Sequence, residues 1–404
     1  LWVLIGGIFF GGVHDYGALF ASVRNDGQSI GTVVETSISK KAKRLFLIFS
    51  YLTLILVVAA FASIVANTFK ATYVDGVVDM AASAANATTA IISLLFIVLA
   101  IFFGFFVYRR NAPIGVSTII GVVAIALVMW LGIKWHPIYL SYQTWMIICG
   151  IYILVASVTP VWILLQPRDY LSSFLLYAMM ILAIVGVIGC HPTLDMPAFT
   201  GFKDTIAPTG SSLGYMFPAL FVTIACGAIS GFHSLVSSGT ASKQIKNEKN
   251  MLPVSFGAML MESMLAVIAL IAVASFAKGE AAAQGLTTQP QIFAGAIANF
   301  LEVIGLPHSL VFTLINLAVS AFALTSLDSV ARVGRLSFQE FFIDDDTDMD
   351  NLPLYKKVAT NKYFSTVITL VLAYLLAKVG YAEIWPLFGS ANQLLSVLAL
   401  VACA

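Results

Sequence analysis

Four places in this sequence put ionisable or cation-binding groups inside apolar runs. His14 and Asp15 stand together in GGVHDYGALF, His233 follows a glycine-rich stretch in CGAISGFHSL, and Glu262 interrupts GAMLMESML. Thr325, Ser326, Asp328 and Ser329 cluster in ALTSLDSV. Charges in membrane-length runs are costly and usually functional. A buried carboxyl beside an imidazole can hold and pass a proton, so His14, Asp15 and Glu262 are the proton-coupling candidates. Gly7, Gly11 and Asp15 are spaced by four, which places Asp15 on a small-residue face turned toward protein. The plainer alternatives are an Asp15 that caps a neighbouring helix or pairs with Arg24, and a Glu262 that reaches a surface Lys. Hydroxyl oxygens beside a carboxylate suit sodium, a hard cation, which makes Thr325, Ser326 and Asp328 the ion-binding candidates. They equally suit interhelical hydrogen bonds, or an Asp328–Arg332 pair one helical turn apart. Cys149, Cys190, Cys226 and Cys403 have neither metal-ligand nor disulfide spacing and read as small buried hydrophobes. No resident metal or cofactor and no catalytic group is expected. The only ion anticipated is a coupling Na+ or H+.

These groups need an element to hold them, and the stretch 216–238, MFPALFVTIACGAISGFHSLVSS, is the one the rest is organised around. It is long enough to cross a bilayer, which takes about 20 apolar residues. Its middle is poor helix material, because each Gly costs a helix interior roughly 1 kcal/mol relative to Ala. In hydrocarbon every backbone N–H and C=O needs a partner, so loosened backbone survives only where it lines a protein-enclosed cavity. Thr223, Cys226, Gly227, Ser230, Gly231 and His233 therefore mark either a discontinuous helix with a substrate site or, in the plainer reading, close packing at Gly227 and Gly231. Tyr16, Asn392 and Gln393 are possible supplements.

The composition sets the frame. Of 404 residues, 60% are hydrophobic and 10% charged, with a mean hydropathy of +0.95. This is an all-α, polytopic membrane protein, expected to form one transmembrane domain whose chief partner is the lipid bilayer. A net charge of +1 implies no nucleic-acid partner. Eleven apolar runs stand out, roughly 1–22, 45–68, 88–108, 113–133, 142–165, 171–190, 216–238, 254–276, 309–331, 363–379 and 385–404. The alternate connecting segments 23–44, 109–112, 166–170, 239–253 and 332–362 hold 16 of the 21 Lys and Arg, which makes them cytoplasmic. The outer segment 277–308 contains a short amphipathic helix at 291–304 and a turn at 305–307. The inner segment carries IDDDTDMDN, which lacks the Gly and Glu of a calcium loop and reads as a solvated acidic turn. The chain opens at Leu1 and closes at Ala404 inside apolar runs. It is therefore expected to be part of a longer protein, with at least one more helix before Leu1.

The stretches GGIFFGGVHDYGALFASVRNDGQSI, FVTIACGAISGFHSLVSSGT and WPLFGSANQLLSVLAL resemble the carbon starvation protein A (CstA) family of bacterial inner-membrane proteins. The resemblance runs from the first span to the last. It implies uptake of peptides during carbon starvation or, as in related members, proton-coupled pyruvate transport. It also implies a LeuT-like inverted-repeat core. On that pattern 216–238 is the sixth, broken helix, 254–276 the seventh, 291–304 the outer-loop helix, 309–331 the eighth, and 363–379 and 385–404 the ninth and tenth. The run 1–22 becomes the second, so five spans precede the sixth where three are expected, which implies an inserted helical hairpin, 88–108 with 113–133. The family's Gly- and His-bearing segment before HDY, and the long C-terminal region of many members, are not in this chain.

The expected function is therefore a coupled secondary transporter for a small carboxylate, either peptide or pyruvate. The half-helix N-terminus after the break offers free N–H groups to the substrate carboxylate, with hydrogen bonds from Thr223, Ser230 and His233. Protonation of Asp15, His14 or Glu262 biases the inward or outward state. The rival is a membrane nutrient sensor signalling through 332–362. A membrane hydrolase lacks a nucleophile–base spacing, and a channel lacks a filter-like repeat.

Overall fold

A computed structural model describes residues 1–110, 112–199, 201–203, 215–224, 226–277, 279–286, 288–343 and 353–404. The apolar runs form α1 (Trp2–Arg24), α3 (Lys40–Phe69), α4 (Met80–Gly104), α5 (Ile114–Lys134), α6 (Tyr142–Val158) and α7 (Leu165–Cys190). They continue as α8 (Met216–Thr223), α9 (Gly231–Gly239), α10 (Phe256–Ala274), α12 (His308–Phe341), α13 (Lys362–Ala377) and α14 (Tyr381–Cys403). The connections add α2 (Ile30–Ser37), α11 (Gln289–Glu302) and a two-stranded antiparallel hairpin, β1 (Thr72–Val74) with β2 (Val77–Asp79). Among the described residues eight helices are long and apolar enough to cross a membrane, and α6 and α13 are shorter apolar helices. The expectation of an all-α polytopic bundle holds. Residues 344–351 of the acidic run lie outside the described residues.

Capping side chains fix where several of these helices begin. Ser141 accepts from the Thr144 N–H at the start of α6, and Asn361 from the Tyr363 and Phe364 N–H groups at the start of α13. Asp79 starts α4 about two turns before the apolar run begins, by accepting from the Ala82 N–H. The outer-loop helix is present as α11, closed at its start by a Thr288–Gln291 capping box. Gly305, at φ +94°, ends that segment in the left-handed turn expected at 305–307.

Contacts divide the chain into two compact units. The first comprises Leu1–Ala60, Pro197–Val267 and Ser329–Ala404. In it α1 packs on α9 and α14, and α14 packs on both α8 and α9. The first ten residues of α1, Trp2–Gly11, are wound as a π-helix with i→i+5 hydrogen bonds, as from the Gly12 N–H to the Gly7 carbonyl. Gly6, Gly7 and Gly11 are buried along it. A Cβ on Gly7 would strike the Ser263 hydroxyl, and one on Gly11 the Ala228 carbonyl. The glycines let α1 lie directly against the segment between α8 and α9.

The second unit comprises Phe61–Met196 and Ile268–Asp328. Here α4 and α5 form a helical hairpin that seats Gly132 on Ile92 and Gly121 on Phe103, and α11 lies on α7 around Gly186. Polar pairs stitch α4 to its neighbours: Asn86 with Gln291 at 3.2 Å, Thr89 with Asn316 at 3.0 Å, and Ser93 with Ser320 at 3.4 Å. Between apolar helices, where lipid competes equally for apolar surface, such bonds and small-residue contacts supply the association energy.

Gly11→Val should lower the thermal unfolding midpoint of the detergent-purified protein, because overpacking costs about 1–3 kcal/mol. Gly115→Ala, where no atom lies within 4 Å of the added methyl, should leave the midpoint unchanged or higher.

Candidate functional site

The membrane-length run 216–238 is broken. Helix α8 ends at Thr223 and α9 begins at Gly231, and the described residues between them, 224 and 226–230, are not helical. A break leaves carbonyls at one end and N–H groups at the other without intrahelical partners, and side chains fill both roles. The Trp2 indole N–H donates to the carbonyls of Phe221 and Ile224 at 3.2 Å each. The Gln393 amide donates to the same two carbonyls. Ser263 donates to the Gly227 carbonyl at 3.3 Å. On the other side Asn392 Oδ1 accepts from the Phe232 N–H at 2.9 Å, while Asn392 Nδ2 donates to Ser230 Oγ at 3.0 Å. Gly231 fits because a Cβ there would meet the Asn392 carbonyl and Leu395.

The expectation that α9 presents free N–H groups is corrected here. The Phe232 N–H is held by Asn392 and the His233 N–H by the Ser230 carbonyl at 3.2 Å. A carboxylate approaching this end must displace Asn392. Thr223 turns back into its own half-helix, donating to the Ala219 carbonyl at 2.8 Å. The Cys226 sulfur lies 3.8 Å from Ser230 Oγ and 3.7 Å from Asn392 Nδ2. The Gly227 position is tight, since a Cβ would come within 2.8 Å of Ala266.

One turn into α9 the ionisable groups meet. His14 Nδ1 lies 2.8 Å from Asp15 Oδ1, Asp15 Oδ2 2.9 Å from His233 Nδ1, and His233 Nε2 3.2 Å from Glu262 Oε2. This is a continuous chain of four titratable groups drawn from α1, α9 and α10. Its side chains become steadily more accessible along its length: 0% for His14, 7% for Asp15, 22% for His233 and 34% for Glu262. The sealed end is marked by His14 Nε2, which is buried with no hydrogen-bond partner among the described residues. Both nitrogens of His233 face carboxyl groups, so both can donate only when the ring carries two protons. A proton gained or lost along the chain redistributes charge over three helices. The Arg24 alternative for Asp15 is not realised, because Arg24 pairs with Glu248 at 3.0 Å on an exposed surface.

The third predicted cluster lies in the second unit. Asp328 pairs with Arg168, and its Oδ2 also accepts from the Tyr152 hydroxyl at 2.8 Å. Arg168 in turn donates to Tyr152 Oη at 2.6 Å. Thr325 Oγ1 is buried without a hydrogen-bond partner among the described residues, and Ser326 is half-buried beside it. Arg168 corrects the sequence reading, which placed it in a cytoplasmic loop. It is a buried residue in the first turn of α7. The only available signal was an Arg–Asp pair, QPRDYL, abutting an apolar run. Trp2 was missed as well, since an indole at the start of an apolar run has no distinguishing pattern.

The whole length matches the family model described as carbon starvation protein CstA, in two overlapping parts, residues 1–283 and 275–404. The chain belongs to the CstA family. A peptide transporter CstA of Campylobacter jejuni is 36% identical over 280 residues, covering 67% of this chain and 38% of that protein. The peptide transporter CstA of Escherichia coli is 30% identical over 478 aligned positions, covering 100% of this chain and 64% of that protein. The pyruvate/proton symporter BtsT of Escherichia coli is 33% identical over 281 residues, covering 67% of this chain and 37% of that protein. The chain thus spans less than two thirds of the length of these relatives. As a CstA-family protein with many apolar helices, it is a multi-pass protein of the bacterial inner membrane.

Removing one partner of a buried ion pair costs about 3–5 kcal/mol, whereas replacing both by apolar residues is often neutral. Arg168→Leu alone should therefore sharply lower the thermal midpoint in detergent, and Arg168→Leu combined with Asp328→Leu should recover most of the loss.

Proposed function

We propose that this protein is a secondary transporter that moves a small carboxylate, pyruvate or the carboxyl end of a short peptide, in symport with protons. The observation that carries the reading is the His14–Asp15–His233–Glu262 chain, sealed at His14 and accessible at Glu262. It ties the half-helix after the break to two neighbouring helices through protonatable contacts. In this reading the break lies at the substrate site. Ser230, Cys226 and Gly231 line it, with Thr223 at the end of the first half-helix and Gly227 between them. The names of the relatives support the two substrate classes, peptides and pyruvate with protons. Both substrates share a carboxylate, and the N-terminus of α9 is the element suited to receive one. The side-chain capping of α8 and α9 supports the LeuT-like expectation of a discontinuous helix at the centre of transport.

The mechanism follows from charge. With substrate absent, Asn392 occupies the N-terminus of α9. A proton entering at Glu262, the accessible end, changes which contacts of His233 are charge-assisted, and so changes the hold of α1 and α10 on α9. Coupling requires that substrate and proton favour the same arrangement of α9. Sodium at Thr325, Ser326 and Asp328 is the less supported alternative, because Arg168 already balances the Asp328 carboxylate. No observation among the described residues favours the nutrient-sensor reading.

In proteoliposomes with pH and sodium gradients imposed separately, uptake of pyruvate or dialanine should follow an inwardly directed proton gradient. Asp15→Asn and His233→Ala should reduce it to background while leaving the folded yield unchanged. Retained proton-driven uptake in both variants would overturn the coupling assignment, and the absence of any labelled-substrate counterflow in the wild type would favour a sensor.

A further inference from the structure

Asn392 and Gln393 are consecutive residues of α14, and neighbours on a helix point about 100° apart. One turn of α14 therefore reaches both sides of the break. Gln393 meets the carbonyls that end α8, at Phe221 and Ile224, and Asn392 meets the N–H that begins α9, at Phe232. Both Asn392 and Ser230 are fully buried, and their side chains satisfy one another. The residue after Phe232 is His233, the central member of the proton chain.

We propose that Asn392 is the positioning residue of that chain. By fixing the first turn of α9 against α14, it sets His233 between Asp15 and Glu262. The two amides then have unequal roles. The Phe221 and Ile224 carbonyls retain the Trp2 indole if Gln393 is lost. Asn392 supplies the side-chain acceptor recorded for the Phe232 N–H. The titratable groups facing His233 are Asp15, with His14 behind it, from α1, Glu262 from α10, and the Cys226 thiol in the break. Helix α14 presents the neutral Asn392 and Gln393 there, and Glu35 of α2 is held by Lys43. A change at Asn392 therefore alters the proton chain by moving His233 and adds no charge of its own. This inference rests on the transport reading for its meaning, but its geometry can be measured without transport.

The test uses the full chain, labelled with 15N-histidine and reconstituted in liposomes. Magic-angle-spinning spectra are recorded across a pH series. The His233 signals, among five histidines, are identified by their loss in His233→Gln. Asn392→Ala, and Asn392→Leu as a variant that keeps the volume filled, should each move the His233 titration midpoint by about one pH unit or more. That is a tenfold change in proton affinity. Gln393→Ala should leave the midpoint in place. Unmoved midpoints in the Asn392 variants, or an equal movement in Gln393→Ala, overturn the proposal. So does failure of both Asn392 variants to fold, which would make the residue simply structural. If the spectra behave as expected but wild-type liposomes take up neither pyruvate nor dialanine, the transport reading fails and the positioning role stands.

Discussion

In hydrocarbon a backbone polar group without a partner costs several kcal/mol, and the gap between Thr223 and Gly231 creates several such groups at once. Their satisfaction organises the first unit. Trp2 from α1, Ser263 from α10, and Asn392 and Gln393 from α14 converge on a few residues of open backbone. Each of these helices is held where its capping side chain must reach, and the same helices deliver the functional groups. Asp15 comes with α1 and Glu262 with α10, one residue before Ser263. Cap and proton chain are thus two consequences of one packing arrangement.

The glycines serve this convergence. Gly7 and Gly11 bring α1 within contact of the Gly227 and Ala228 carbonyls, and Gly231 admits the α14 backbone. A side chain at any of these positions would hold the helices apart and leave the open backbone uncovered. Packing of small residues and opening of a helix are often offered as rival explanations for glycine in a membrane span. Here they act together, because the break can exist only where neighbours come close enough to cap it.

The second unit applies the same rule to charge. Arg168 and Asp328 neutralise one another beside Tyr152 in a buried cluster. The contrast with the first unit is chemical. An Arg–Asp pair is anchored by a guanidinium that stays protonated, so it suits a fixed contact. A His–carboxylate chain is built from groups that can gain and lose protons, so it suits a contact that must be made and released.

The sequence by itself determined the class of protein, the apolar helices and the weakness of the helix at 216–238, because these follow from local hydropathy and glycine content. It also singled out His14, Asp15, His233 and Glu262, because an ionisable residue in an apolar run is conspicuous wherever it lies. Only the tertiary structure decided that these four form one chain, that Arg168 pairs with Asp328, and that Trp2, Asn392 and Gln393 close the break. Those contacts join residues up to 222 positions apart. A polar group's need for a partner can be read from its own residue type, but the partner's identity depends on which helices pack together, and that is set by the summed contacts of the folded chain.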